Sequence, residues 1–468
     1  MVKYTCETCQ KTFAQKGHLE DHQNRKRPCK KDNTIEALVE KKVQEALSKT
    51  NAGAVKIDPT RTSQMHTNQM DYSKKTREEL IAICKDKSIK GYSGKKKDEI
   101  VILLSASANK QEETVEVFPE KIHRLNYIGS KFQLLEWITE NMKEQTGWPS
   151  FTDKTVADLF AGTGIVSYHF RKNLATVISN DAELYSSIIT HAFTRSIYTE
   201  KCKKIIDEIQ KDIQGNKHSS TVGFITTHYS PHGSNERKFF TIENARRIDY
   251  IRNKLELIRS SISLDEYKFL LASILLSADA VSNVPAVYGC FLKNFKSKAV
   301  KNLTFMPIHN NTVPVVDGSN THNSDVLRTE FLGSFESDLV YLDPPYNERQ
   351  YSKNYFPLNI IAKTPDQLLS ESPLKGKTGI PADCFISPFC KKGDVVEKAF
   401  EALFRELKTK WIFLSYNSES TISKEKMLDI MKKYGTASVV EREYKRFKSF
   451  EYNKDVDIKE YLFCLKKA

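Results

Sequence analysis

The chain of 468 residues has no long uninterrupted apolar run. Its most apolar stretch, 269–292, is broken by Asp279, Asn283 and Pro285, which argues against a membrane span. The opening Met-Val-Lys-Tyr-Thr-Cys lacks the apolar core of a secretory signal. Cysteine is sparse: nine residues, an odd number and mostly scattered, which argues against a disulfide framework and for a reducing compartment inside a cell. Acidic residues are outnumbered by basic ones, 59 against 72, giving a net charge of +13. Residues 1–110 carry 23 of the basic and 14 of the acidic residues, so the excess sits at the front. A basic front end on a nearly balanced body fits a polyanion-binding appendage, and it fits a solvated basic tail equally well.

Such a length implies about two to four domains. The first motif is Cys6-x2-Cys9-x3-Phe13-x5-Leu19-x2-His22, with the spacing of a ββα zinc finger. The usual second histidine is missing. Cys29 is the expected fourth ligand, so that Cys6, Cys9, His22 and Cys29 hold a structural zinc ion within residues 1–31. His18, one helical turn before His22, is a rival. Residues 32–71 read as a short polar helix and a linker. In residues 72–106, Thr76 and Glu79 have the spacing of a capping box, Leu80, Ile83 and Cys84 form an apolar stripe, and a second helix turns Ile100, Leu103 and Leu104 inward. This unit resembles the SAP module, a helical element implicated in DNA binding, with Lys95, Lys96 and Lys97 placed to meet phosphates; a plain helical hairpin is the alternative. A linker, 107–120, leads into a large α/β region, 121–468.

Three motifs organise that region. Asn126-Tyr127-Ile128-Gly129-Ser130-Lys131 opens it. Next, a strand at 155–160 runs into the glycine turn 161–164, with Gly162 and Gly164, and then a helix at 165–173. Glycine suits a sharp turn that brings backbone close to a ligand. A second strand ends in Asn180-Asp181, where an acid about 20 residues past the glycines is placed to accept ribose hydroxyls. Ser167 stands where a dinucleotide fingerprint has its third glycine. Asn323-Ser324-Asp325 precedes a helix, and Asp325 either caps it or meets an adenine ring. The third motif is the apolar strand 338–342 ending in Asp343-Pro344-Pro345-Tyr346. The prolines cannot extend a ladder, so a carboxylate, two carbonyls and an aromatic ring stand at a strand's carboxyl end. Residues 347–357 read as a loop, Cys384 and Cys390 as structural, and the closing strands 437–443 and 461–465 as an antiparallel edge hairpin. Residues 195–315 read as a helical insert.

The order of these motifs resembles the Dam-like, alpha-order group of DNA adenine N6-methyltransferases, over residues 121–468. The resemblance implies a Rossmann-like sheet, S-adenosylmethionine (SAM) as methyl donor, and double-stranded DNA as partner. By it, Tyr127, Gly129, Lys131, Asp158, Phe160, Gly162, Gly164, Asp181 and Asp325 form the cofactor site, Asp343, Pro344, Pro345 and Tyr346 the catalytic site, and 195–315 the target-recognition insert. It also implies a restriction–modification setting with a partner endonuclease; the finger and SAP-like unit depart from the usual bacterial form and look similar to fusions in large DNA viruses. An inert DNA-binding protein and an RNA adenine methyltransferase are the competing expectations. Nothing in the sequence fixes a target site or an oligomeric state.

Overall fold

A computed structural model describes residues 4–6, 12–13, 20, 76–86, 96–97, 100, 122–234, 236–310, 313–444 and 458–468. The chain divides into two units, Met1–Val115 and Glu116–Ala468. In the first, β1 (Tyr4–Thr5) and β2 (Thr12–Phe13) form an antiparallel pair, with Tyr4 opposite Phe13. Cys6 is buried. Cys9, His22 and Cys29 lie outside the described residues, as does Lys95. Among the described residues no group of three or more His, Cys, Asp or Glu is placed to hold a metal ion, so the expected zinc site gains no support here. The helix Arg77–Asp86 starts as its sequence requires: the Thr76 N–H donates to Glu79 Oε2 (2.7 Å) and the Glu79 N–H to Thr76 Oγ1 (3.3 Å). Leu80, Cys84 and Ile100 are buried together.

The second unit is built on a seven-stranded sheet. Its strands are β3 (Thr155–Asp158), β4 (Thr176–Asn180), β5 (Asn320–His322), β6 (Ser337–Leu342), β9 (Thr409–Asn417), β10 (Gly435–Tyr444) and β11 (Ile458–Lys467). Between β6 and β9, the short strands β7 (Leu374–Lys375) and β8 (Ile380–Pro381) make a separate hairpin. The order across the sheet is β10-β11-β9-β6-β3-β4-β5. The five strands from β9 to β5 are parallel; β11 runs antiparallel to both β9 and β10. The expected edge hairpin is present, with β11 between β9 and the outermost β10. Alternate residues of the central strands feed two cores. Leu339 and Tyr341 join one with the helices Ile165–Lys172, Leu184–Arg195 and Leu264–Ala280. Val340 and Leu342 join the other with Asp394–Glu406 and Lys424–Lys432. Burial on both faces is why these strands read as continuous apolar runs.

Two local expectations need correction. β3 stops at Asp158 rather than 160: the Leu159 N–H still donates to the Tyr341 carbonyl (3.2 Å), and the chain turns toward the ligand face from Phe160 on. Residues 351–357, read as part of a loop, fall in two short helices, Tyr351–Asn354 and Phe356–Ala362. Pro357 sits in the first turn of the second, where a missing N–H costs no helical bond. The segment 195–315 carries the helices Glu200–Gln214, Phe224–Tyr229, Ile242–Ile258 and Leu264–Ala280. The last is almost wholly buried. Burial in a protein core accounts for its apolar run; among the described residues no helix is long and apolar enough to cross a membrane.

Candidate active site

β3 is the first strand of the sheet and the middle one of its five parallel strands. The chain moves from it to β4 and β5 on one side, then returns to place β6 on the other. The strand order reverses between β3 and β6, and ligands of open α/β sheets bind at the carboxyl ends of strands beside such a reversal. A cavity of about 1340 Å³ opens there. The glycine turn after β3 and Asp343–Tyr346 after β6 both line it, as do Tyr127, Gly129, Lys131, Asp181 and Asp325. The glycine turn and Asp343–Tyr346, roughly 180 positions apart, are thus brought to one wall by the parallel register Val156–Leu339 and Asp158–Tyr341.

At the β6 end, Asp343 Oδ1 takes two contacts: Lys131 Nζ at 2.9 Å and the Tyr346 hydroxyl, which donates at 2.9 Å. Lys131 is only 4% exposed and also donates to the Gly129 carbonyl at 2.8 Å. Its ammonium lies 4.8 Å from the centroid of the Tyr346 ring, and the Tyr416 ring meets Tyr346 edge-on at 5.1 Å. Burial raises the Asp343 carboxyl above the usual carboxylate range, opposed by the Lys131 charge and hydrogen bond. At the β3 end, the Gly162 N–H donates to Asp181 Oδ2 (2.8 Å) and the Glu183 N–H to Asp181 Oδ1 (2.9 Å), so the acid after β4 holds the glycine turn after β3. Gly162 has φ of 54°, and a Cβ there would lie 3.2 Å from the Tyr127 ring. The Phe160 ring is braced edge-on by Phe389 at 5.1 Å.

Tyr127 belongs to an aromatic wall. It stacks on Tyr355 (4.7 Å) and meets Tyr351 (5.4 Å), and Tyr185 donates a hydroxyl hydrogen to its oxygen (3.3 Å). The Ile128 N–H donates to the Tyr355 oxygen (3.0 Å), and the Tyr351 hydroxyl donates to the Ile128 carbonyl (3.2 Å). Asp279 anchors the other end: it accepts from the Asn126 N–H (3.1 Å) and the Tyr288 hydroxyl (2.7 Å).

Residues 127–430 match the family model of the D12 class N6 adenine-specific DNA methyltransferases. The chain belongs to this family. It is 39% identical over 342 residues to the Type II methyltransferase M.CviAII of Paramecium bursaria Chlorella virus 1, covering 73% of this chain and 98% of that one. It is 38% identical over 327 residues to the Type II methyltransferase M.NlaIII of Neisseria lactamica, covering 69% and 93% respectively. Against the Type II methyltransferase M.FokI of Planomicrobium okeanokoites the identity is 32% over 360 residues, 53% of that protein. This methyltransferase therefore carries a front segment, before Tyr127, that the family model does not include.

Two residues expected in the methyltransferase's cofactor site do not line the cavity. Asp158 lies beneath it, accepting from the Ser167 hydroxyl at 2.6 Å, and burial pushes its carboxyl up to about 7. Gly164 serves the turn: its φ is 72°, and a Cβ would lie 2.9 Å from the Thr190 Cα. Gly164→Ala is expected to lose about 2–4 kcal/mol of stability through left-handed strain plus overpacking, read as a lowered urea midpoint. A midpoint equal to wild type would refute the tight turn. Asp325 does not cap the following helix Thr329–Leu332, whose first turn is entered through Arg328; its Oδ1 accepts from the Leu327 N–H (3.1 Å).

The cavity also holds residues the motifs did not announce: Glu183, Asp279, Tyr351 and Glu460 line it. Asn359 Nδ2 donates to Glu183 Oε2 at 2.6 Å, and burial, with Asp181 adding repulsion, pushes the Glu183 carboxyl up to about 8. Burial likewise raises Glu460, with Lys131 opposing. The i, i+4 spacing of Tyr351 and Tyr355 is a signal for the aromatic wall, but the segment reads as a loop.

Proposed function

We propose that this methyltransferase binds SAM against the glycine turn and Asp181, and methylates N6 of an adenine flipped out of duplex DNA at Asp343-Pro344-Pro345-Tyr346. The supporting observation is one cavity that joins the two strand ends across the topological switch. Its residues fit the cofactor: Gly162 leaves backbone bare, Asp181 is placed for ribose hydroxyls, and Tyr127, Phe160 and Asp325 offer flat and polar walls. When bound, SAM supplies a methyl group made electrophilic by its sulfonium.

The adenine amino group is a poor nucleophile, because its lone pair is conjugated with the ring. Asp343 accepts one amino hydrogen and the Pro344 carbonyl the other, which lets the nitrogen become more tetrahedral. Both contacts recorded at Asp343 fall on Oδ1, leaving Oδ2 for the substrate. Lys131 holds the carboxylate in place and in its charged form, and the Tyr346 ring packs on the base. The base must leave the duplex because the reacting groups are recessed in the cavity. Residues 195–315 supply target recognition, and the setting is an intracellular restriction–modification system with a partner endonuclease. Incubation with labelled SAM and duplex DNA tests the reading, followed by long-read mapping of methylated adenines. Product in duplex DNA and not in RNA is expected; absence of N6-methyladenine from wild-type protein would overturn it.

For the front segment we propose a zinc-held finger through Cys6, Cys9, His22 and Cys29, followed by the SAP-like DNA-binding unit. So short a segment buries little without metal. Purified full-length protein should hold about one zinc per chain, four-coordinate as in structural sites. A ratio far below that, or a ratio unchanged in Cys6→Ser, counts against it.

A further inference from the structure

The hexapeptide that opens the catalytic region has two faces. Tyr127 turns onto Tyr355, and Lys131 is buried on Asp343. Between and after them, Ile128 and Phe132 point outward, each 42% exposed. Single exposed apolar side chains are ordinary on a protein surface. These two differ in place: of the eleven large exposed hydrophobics among the described residues, only Ile128 and Phe132 line the cavity. They also differ in rigidity. The Ile128 backbone is held on both sides by Tyr351 and Tyr355, and Phe132 directly follows the buried Lys131. The exposed Arg124 lays its guanidinium 3.6 Å from the centroid of the Phe132 ring. A rigid apolar pair under a cation, at the mouth of a substrate cavity, is unfavourable in water and suits an apolar, anionic partner.

The geometry points to Ile128 and Phe132 as the wedge that enters duplex DNA where the target adenine has left the stack, with Arg124 as the adjoining phosphate contact. This rests on the base-flipping reading above. Flipping opens a gap between neighbouring base pairs, and apolar side chains on other DNA-binding proteins fill or open such gaps. The guanidinium stacked on Phe132 keeps its donor edges free for phosphate oxygens while its face stays covered. Because Phe132 adjoins Lys131, a ring seated in the duplex fixes where the extruded adenine meets Asp343. The wedge therefore sets both extrusion and register.

The test uses full-length protein, wild type and Ile128→Ala/Phe132→Ala, with duplexes carrying the mapped target site. In one duplex the target adenine faces thymine; in the other it faces an abasic position, so extrusion is already easy. On the paired duplex the double variant should raise the DNA KM by about tenfold or more, since extrusion costs a few kcal/mol. It should also lose the fluorescence rise of 2-aminopurine placed at the target. On the abasic duplex both defects should shrink to about threefold or less, because little extrusion energy remains to be supplied. SAM affinity by calorimetry should stay at the wild-type value. Equal losses on both duplexes, or no loss on either, would overturn the wedge. Weakened SAM binding would also do so, assigning Phe132 to the cofactor instead. The 2-aminopurine signal needs no turnover, so a wild-type protein that flips the base without methylating it would fault the catalytic assignment and leave the wedge standing.

Discussion

Asp343→Asn is expected to lower kcat by about a thousandfold while leaving SAM affinity near wild type, in the range for loss of a positioned proton acceptor. The amide keeps the shape of the carboxylate and can still accept from Tyr346. It cannot neutralise the positive charge that grows on N6 as the methyl group arrives. Asparagine is the better probe than alanine. Removing the carboxylate altogether strands the Lys131 ammonium, which is only 4% exposed, and breaking such a pair costs about 3–5 kcal/mol of stability. The pH profile carries a second reading. Asp343 must be ionised to accept a hydrogen, and burial raises its carboxyl, so activity should fall on acidification at a pH above the ordinary carboxylate range. Lys131 opposes that rise; Lys131→Met should therefore move the acidic limb still higher. A kcat within tenfold of wild type in Asp343→Asn would remove the aspartate from the chemistry.

Arg171→Met should cost about 5 kcal/mol, comparable with the whole stability of many domains. Arg171 is 1% exposed. Its guanidinium donates to the carbonyls of Phe193 (2.7 Å), Ser196 (2.8 Å), Pro314 (3.2 Å) and Val313. One side chain thus closes the end of the helix Leu184–Arg195 and ties the 313–314 segment to it. Methionine fills the volume and satisfies none of these acceptors. Burial lowers the guanidinium to about 10, so it remains charged near neutrality. Arg171→Lys should be intermediate, since an ammonium cannot span a planar fork of acceptors. A urea midpoint for Arg171→Met within about 1 kcal/mol of wild type would show the carbonyls satisfied another way.

The two ends of the site were legible in the sequence because each is enforced locally. Pro344 and Pro345 can only end a strand, and Gly162 and Gly164 do adopt positive φ, as a tight turn before a helix requires. The apolar runs that mark β9 and β11 are equally local. What the sequence hid was assembly across distance. Glu183, Asp279 and Glu460 reach the cavity through strand order and helix packing, which no spacing encodes. Asp279 was legible only as an interruption in an apolar run. In the structure it stands at the end of the buried helix Leu264–Ala280 and receives the Asn126 N–H. Residues 351–357 read as part of a loop because 347–357 is polar and aromatic, yet they fall in two short helices, and Pro357 sits in the first turn of the second. Lys296 and Lys298, in the basic stretch of the insert, donate to the Val284 and Asp279 carbonyls.

The cavity brings Asp181, Glu183, Asp279, Asp343 and Glu460 together with one buried lysine, Lys131; Arg124 and Arg349 stand exposed at its edge. Burial raises all five carboxyls. Glu183, pushed up to about 8, holds a proton near neutral pH, and a cation entering the site expels it in part. SAM binding should therefore release protons near neutral pH, and its affinity should rise with pH. The demethylated product, with an uncharged sulfur, should release fewer. Calorimetry in buffers of different ionisation heat measures this directly; equal proton release by the two ligands would break the linkage. Proton uptake as the sulfonium charge is lost relaxes the site around the product, so discrimination between the methyl donor and its product should widen as pH rises.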